Sequence, residues 1–304
     1  MQGFHFKIVP PYDFGLSLKF SQRSRFEIVD QTEDRILKRL LRVGKSVIFA
    51  RMSCSGTVEK PRGEVSWECI EGRSPDNKKI EPIVAKMLSA NLDLGGFYEK
   101  AESSKHIGQL AERFRGLKPI VTPTVFESAA WAIMGQQVNL NFAYILKKRL
   151  VENFGRKYNR DGQDYFLFPD PIDLAGAKIE ALKRLQFSSR KAEYLTGLSS
   201  ILKNNDSGLE HLAERDYNEA LKELMAIRGI GIWSANYILM RGAGHPDCLP
   251  LGDSGLHRAI KIINRMKKLP DNAKVIKSAN IFKPFRSLYT LYLWFMLMEG
   301  APIR

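Results

Sequence analysis

Along the first hundred residues, hydrophobic and polar positions alternate in short runs. Phe4, Phe6 and Ile8 are separated by His5 and Lys7, Val47-Ile48-Phe49-Ala50-Arg51-Met52 is a β-favouring stretch, and Val65, Trp67 and Cys69 alternate with Glu64, Ser66 and Glu68. A period of two places the apolar side chains on one face of a pleated strand, so these runs predict an antiparallel sheet. Glu59-Lys60-Pro61-Arg62-Gly63 reads as the turn before the last of them. Ile80, Ile83, Val84, Met87 and Leu88 then repeat at helical spacing, which makes this first part, residues 1–103, mixed α+β.

From Lys100 onward strand signals nearly vanish and the 3.6-residue period takes over. Thr124-Val125-Phe126-Glu127 has the form of a capping box, followed on one face by Phe126, Ala129, Ala130, Ile133 and Met134 and closed by Gly135. A polar loop, Gln136-Gln137-Val138-Asn139, leads to a second helix with Phe142, Ile145 and Leu146 inside, stopping near Gly155. Asp164 to Pro171 reads as a loop; short helices are predicted around Ile179–Leu185 and from an N-cap at Ser188-Ser189 to Leu202. The last helices bury Leu256, Ala259, Ile260 and Ile263, then Leu288, Leu291, Tyr292 and Phe295.

Between them lies the most informative stretch, 219–241. Leu221, Leu224 and Met225 keep helical spacing up to Arg228-Gly229-Ile230-Gly231, after which Ile232, Ala235, Asn236 and Leu239 resume it. This is helix, tight glycine turn, helix. Two glycines let the chain reverse sharply and leave N–H groups free at the start of the second helix, where the helix dipole is positive. A phosphate is the ligand such a nest attracts.

Composition sharpens that reading. Lys and Arg number 47 against 33 Asp and Glu, a net charge of +14 in 304 residues, and the isoelectric point of about 9.6 lies in the range of nucleic-acid binders. Three scattered cysteines, Cys54, Cys69 and Cys248, give neither a disulfide framework nor a zinc pattern and are too few for the four thiolates of an iron–sulfur cluster. The start of the chain lacks the charge-then-apolar form of a signal peptide, and the apolar run Leu288–Met298 is too short for a membrane span, so an intracellular protein, in cytoplasm and nucleoid or in a nucleus, is expected.

Leu224 to Ala235, followed by Leu249-Pro250-Leu251-Gly252-Asp253-Ser254-Gly255-Leu256, resembles the helix-hairpin-helix DNA glycosylases and, among them, the 3-methyladenine glycosylase II branch; Pro10-Pro11-Tyr12-Asp13-Phe14 resembles the start of that branch. The glycine hairpin alone is shared by polymerases and ligases; the hairpin with a downstream Pro-x-x-Asp is the specific signal. The resemblance implies a small N-terminal antiparallel sheet domain with helices, followed over 104–304 by a two-part helical glycosylase core. It also implies duplex DNA with damaged bases as the partner of a monomer, and no required cofactor beyond a monovalent cation on the carbonyls of Met225, Ile227 and Ile230.

It assigns residues as well. Asp253 would stabilise the cationic sugar as the base departs, although an aspartate before an apolar helix is also an ordinary N-cap. Trp233, Tyr237, Trp294 and Phe20 match rings of a base pocket, which suits electron-poor alkylated purines; buried ring pairs are the plain alternative. Gln137, with Gln136 beside it, matches the wedge that fills the gap left by a flipped base, an amide cap being the alternative. Gly229, Gly231 and the Trp233 N–H would meet phosphate; apart from the resemblance, Lys147, Lys148, Lys261, Arg265 and Lys268 are candidates for the surrounding basic surface, a solvated charge being the plain alternative for each. Bifunctional members carry a lysine where Trp233 stands, so a monofunctional hydrolase is expected. The branch's aromatic after the aspartate is Ser254 here, which changes the pocket. A non-catalytic damage sensor and an oxidised-purine glycosylase are the other readings.

Overall fold

The computed structural model describes residues 2–204 and 208–300. Strands β1 (Gln2–Lys7), β2 (Gln31–Glu33), β3 (Ile36–Val43), β4 (Ser46–Thr57) and β5 (Lys60–Glu71) form one sheet in the order β1-β5-β4-β3-β2, antiparallel throughout. The alternation seen in the sequence is the register: Phe4 opposes Val65 and Ala50 opposes Trp67. One face of the sheet buries Phe6, Leu37, Leu41, Ile48, Met52, Val65 and Trp67 under helix α1 (Phe14–Ser21) and helix α2 (Asn77–Met87), whose Ile80, Val84 and Met87 are sealed from solvent.

Two loops of the sequence reading are strands. The turn lies at Val58-Glu59, and Pro61 and Gly63 stand inside β5. Pro61 sits beyond the last residue paired with β1, so its missing N–H costs no ladder bond on that side. The Phe6 ring lies over Gly63, where a Cβ would come within 2.4 Å of it. The stretch 164–171 begins as strand β7 (Gln163–Leu167), paired with β6 (Arg156–Arg160). Asp161 and Gly162, both at positive φ (51° and 77°), make the two-residue turn. This hairpin covers the second face of the sheet, where Tyr165 packs 4.5 Å from Phe49 beside Leu40, Val47 and Leu167.

The remaining chain is helical: α3 (Gly95–Glu102), α4 (Lys105–Arg113), α5 (Val125–Gly135), α6 (Leu140–Phe154), α7 (Pro171–Ala175), α8 (Ile179–Arg184), α9 (Ser189–Leu202), α10 (Tyr217–Met225), α11 (Ile232–Ile238) prolonged by a π turn at Leu239–Ala243, α12 (Ser254–Ile263), α13 (Asn272–Asn280) and α14 (Arg286–Met298). Helix α5 is central, and its fully buried Ala129, Ala130 and Ala132 let α11, α6 and α9 approach closely. Thr124 caps it through Glu127 N at 3.2 Å, but the box is only half formed, because the Glu127 carboxylate pairs with Arg39 of β3. The end of α1 belongs to this helical core, with Phe20 and Val29 packed in it, and so the following segment, Arg23 to Asp30, is held against α5 and α6.

Candidate active site

The hairpin between α10 and α11 is held from two sides, by Tyr194 of α9 and Gln136 at the end of α5. Gly229 has φ +93°, and the Tyr194 ring would lie 2.3 Å from any Cβ there, so both backbone and space demand glycine. Gln136, from the end of α5, donates to the Gly229 carbonyl at 2.7 Å and to Ser234 Oγ at 3.1 Å. Gly231 caps α11 in extended conformation with no side chain to satisfy the first-turn N–H groups, and a Cβ on it would meet nothing. The N–H groups of Ile232, Trp233 and Ser234 find no partner among the described residues. They open beside a groove lined by Gln137, Arg190, Tyr194, Met225, Ile227, Arg228 and Ile230.

The rings begin in the same first turn of α11. Trp233 and Tyr237 stand 5.5 Å apart with an interplanar angle of 30°, and Tyr237 and Trp294 6.1 Å apart at 39°. Asp253 closes this cleft. Its Oδ1 accepts from Leu256 N at 2.7 Å and from Trp294 Nε1 at 2.9 Å, and its Oδ2 accepts from Trp233 Nε1 at 3.1 Å. It is therefore an N-cap and also a carboxylate fixed by two indoles. The two indole bonds fix the orientation of the carboxylate.

Residues that the sequence did not single out position these groups. Asn236, almost fully buried, accepts from Leu249 N at 2.9 Å and Tyr217 OH at 2.8 Å, and its amide donates to Ile232 O at 2.9 Å. It thereby ties α11 to the loop that carries Asp253. Arg286 makes two bonds to the Asp247 carboxylate, at 2.7 and 2.9 Å, and Ser287 Oγ donates to His245 O at 2.7 Å, which seats the start of α14 and hence Trp294 on the same loop. An asparagine one turn into an apolar helix was the visible trace of the first device; the second had no local signal.

Three expected roles do not match the placements. Phe20 is 1% exposed, packed against Phe295 and covered by the guanidinium groups of Arg23 and Arg241 at 4.1 and 5.5 Å, so neither face is open to a base. Lys147 is buried, its Nζ 2.7 Å from the Glu27 carboxylate, and contributes nothing to the basic surface. Gln136 is spent on the hairpin, whereas Gln137 is exposed with φ +54°. Lys148 lies 3.6 Å from Glu152, Arg265 and Lys268 are exposed, and Lys261 is half-buried. Ser254 is exposed and adds no ring to the cleft.

Behind Tyr237 lies a polar chamber, lined also by Arg23, Glu27, Glu127, Ser128, Trp131, Tyr144, Lys147 and Arg241. Arg39 binds Asp30 at 2.6 Å and also Glu127. Against the penalty of burial, Arg39 and Lys147 hold Asp30 below its usual range, and Glu27, Glu127 and Asp30 keep Lys147 protonated. Burial raises Glu127, opposed by Arg39, and lowers Arg241.

The model of the HhH-GPD superfamily base excision DNA repair proteins matches residues 130–284. A DNA-3-methyladenine glycosylase of Bacillus subtilis is 30% identical over 293 residues, 94% of each chain. DNA-3-methyladenine glycosylase 2 of Escherichia coli is 28% identical, also over 94% of each. Among solved structures, a 3-methyladenine DNA-glycosylase of Archaeoglobus fulgidus superposes with a TM-score of 0.84 at 21% identity, covering 99% of this chain and 100% of that one. An 8-oxoguanine glycosylase/lyase of Clostridium acetobutylicum in complex with double-stranded DNA gives 0.72 at 14% identity, over 99% and 98%. At these identities the structural matches speak for the fold.

Proposed function

Since the chain belongs to the HhH-GPD superfamily of base excision DNA repair proteins, we propose that it is a monofunctional DNA glycosylase that extrudes alkylated bases, such as 3-methyladenine, from duplex DNA and releases them by hydrolysis. The observation that carries this reading is the carboxylate of Asp253, held by Trp233 and Trp294 at the mouth of an aromatic cleft beside the hairpin.

The hairpin N–H groups grip a backbone phosphate, and Gly231 allows its close approach. A monovalent cation on the carbonyls of Met225, Ile227 and Ile230, which all line the same groove, would add charge there. Gln137 enters the stack as the base leaves it. The alkylated base, cationic and electron-poor, lodges among Trp233, Tyr237 and Trp294. As the C1′–N bond breaks, its electron pair goes to the base and positive charge builds on the sugar, opposite the Asp253 carboxylate. Water adds at C1′ and gives up its proton with Asp253 as acceptor. The residue at the nucleophile position is an indole that donates to Asp253, so no Schiff base forms and the strand is left intact at an abasic site. The enzyme works as an intracellular monomer; among the described residues no helix is long and apolar enough to cross a membrane.

The test is base release from methylated duplex, followed by hot alkali. Wild type should release 3-methyladenine and break strands only after alkali, and Asp253→Asn should lose at least about a hundredfold in excision while still binding lesion DNA. Undiminished excision by Asp253→Asn, or strand breaks without alkali, would overturn the reading.

A further inference from the structure

The chamber behind Tyr237 contains polar atoms that the fold leaves unpaired. Glu127 Oε1, Ser128 Oγ, Arg241 Nη1 and Arg23 Nε are each shielded from solvent and without a hydrogen-bond partner, on side chains that all line that chamber. Glu127 is 2% exposed, Ser128 0% and Arg241 9%. Leaving such atoms unpaired in a finished interior is costly, and more so for charged groups. Three carboxylates here, Glu27, Asp30 and Glu127, are matched mainly by Arg39 and Lys147. Glu127 Oε1 lies 3.9 Å from Lys147 Nζ, too far to bond, and neither Arg23 nor Arg241 forms an ion pair among the described residues. Arg241 also reaches the Tyr237 hydroxyl, yet its Nη1 and Glu127 Oε1 stay unpaired on side chains that line the same chamber.

We infer that this chamber reads the hydrogen-bonding edge of the extruded purine: Arg241, assisted by Arg23, donates to a ring nitrogen, and Glu127 with Ser128 accepts from the exocyclic amine. The inference rests on the glycosylase reading and deepens it. Tyr237 is the wall shared by the aromatic cleft and the chamber, so a base stacked on it directs its far edge away from Asp253 and toward these atoms. Trp131 and Tyr144, 4.6 Å apart, form the apolar side of the same space. Methylation at N3 of adenine leaves intact the amine and the ring nitrogens beside it, an acceptor next to a donor, which is the complement of the arginine and the carboxylate. Stacking selects for an electron-poor ring, whereas this edge selects which ring, because an unmatched base would strand the buried groups again.

The rival occupant is water, which also satisfies a roomy polar cavity. Arg241→Met separates the two. Two readings are needed: the single-turnover rate on a 3-methyladenine duplex, and affinity for the same duplex carrying a tetrahydrofuran abasic analogue, which has no base to read. The inference expects the rate to fall at least about tenfold, with abasic affinity within about twofold of wild type. A rate that does not fall means water alone fills the chamber, and equal losses in rate and affinity mean a structural role; either overturns the inference. Should Arg241→Met fail to fold by circular dichroism, Arg23→Met at the half-buried Arg23 takes its place with the same pair of expectations. Wild type that releases no alkylated base would instead sink the underlying reading.

Discussion

At the scale of single residues, the centre of the site is a carboxylate whose two oxygens are taken by indole N–H groups. Replacing Trp233 by Phe keeps a ring over Tyr237 and removes one donor. The carboxylate then turns more freely, and the expected result is a fall in kcat of about fivefold to tenfold with KM little changed; a rise in KM alone would mean that the indole serves only to stack. Trp233 and Tyr237 could be paired from the sequence because they stand one helical turn apart beside the hairpin, whereas Trp294 is named only through the family resemblance. The indole bonds could not be read there, since they depend on where Asp253 and Trp294 fold, 20 and 41 positions away. The same reason explains Lys147: its place on a basic helix end suggested solvent, and its partner Glu27 lies 120 positions earlier. A second buried amine has a measurable consequence. Lys118, fully buried and donating to Val9 O at 2.6 Å, is brought down by burial to about 8. Its folded value lies below the unfolded one, so the folded state binds fewer protons between pH 8 and the ordinary lysine range, and stability from this group grows as pH rises through that window. Compared with Lys118→Met, wild type should gain up to about 3 kcal/mol between pH 7 and 10, seen as a widening Tm difference. A difference flat with pH would refute it.

At the scale of elements, the two hairpin glycines serve different ends. Gly229 is required by the fold itself, through its positive φ and the Tyr194 ring; Gly231 has ordinary backbone angles and empty space around it. Gly229→Ala should therefore destabilise the protein by about 2 kcal/mol or more. Gly231→Leu should leave the Tm nearly unchanged and weaken binding to damaged and undamaged duplexes alike, by roughly tenfold, because the side chain would stand where phosphate approaches. A loss confined to lesion duplexes would place Gly231 in base recognition instead. The sequence showed this helix-turn-helix clearly because glycine turns and apolar periodicity are local. The β6–β7 hairpin was equally local, with Asp161-Gly162 as its turn, but its charged, short strands hid the alternation at Tyr165 and Leu167. Strand β3 was obscured for the opposite reason. Buried on both faces, it alternates poorly, and it even carries the buried cations Lys38 and Arg39.

At the scale of the whole molecule, the net charge of +14 overstates what faces DNA. Lys38, Arg39, Lys118, Lys147, Lys191 and Arg241 are buried, and Arg39 and Lys147 are neutralised by the carboxylates that join the sheet to α5 and α6. That cluster makes the N-terminal sheet and the helical core one electrostatic unit: removing Arg39 would leave Asp30 and Glu127 buried without their main partner, a loss of the size seen for broken buried pairs. The groove beside the hairpin itself carries an exposed cation, Arg190. Each phosphate contact contributes about 0.9 to the slope of log K against log salt. A few contacts at one hairpin predict a slope of only about −3 to −5, far shallower than +14 spread over the surface would give. Arg190→Ala should reduce that slope by about one and weaken binding similarly on every sequence. Titrations of wild type and variant on one fluorescent duplex between 50 and 300 mM salt measure both quantities. Parallel lines would remove Arg190 from the interface, and a wild-type slope near −10 would mean that DNA wraps far beyond the hairpin.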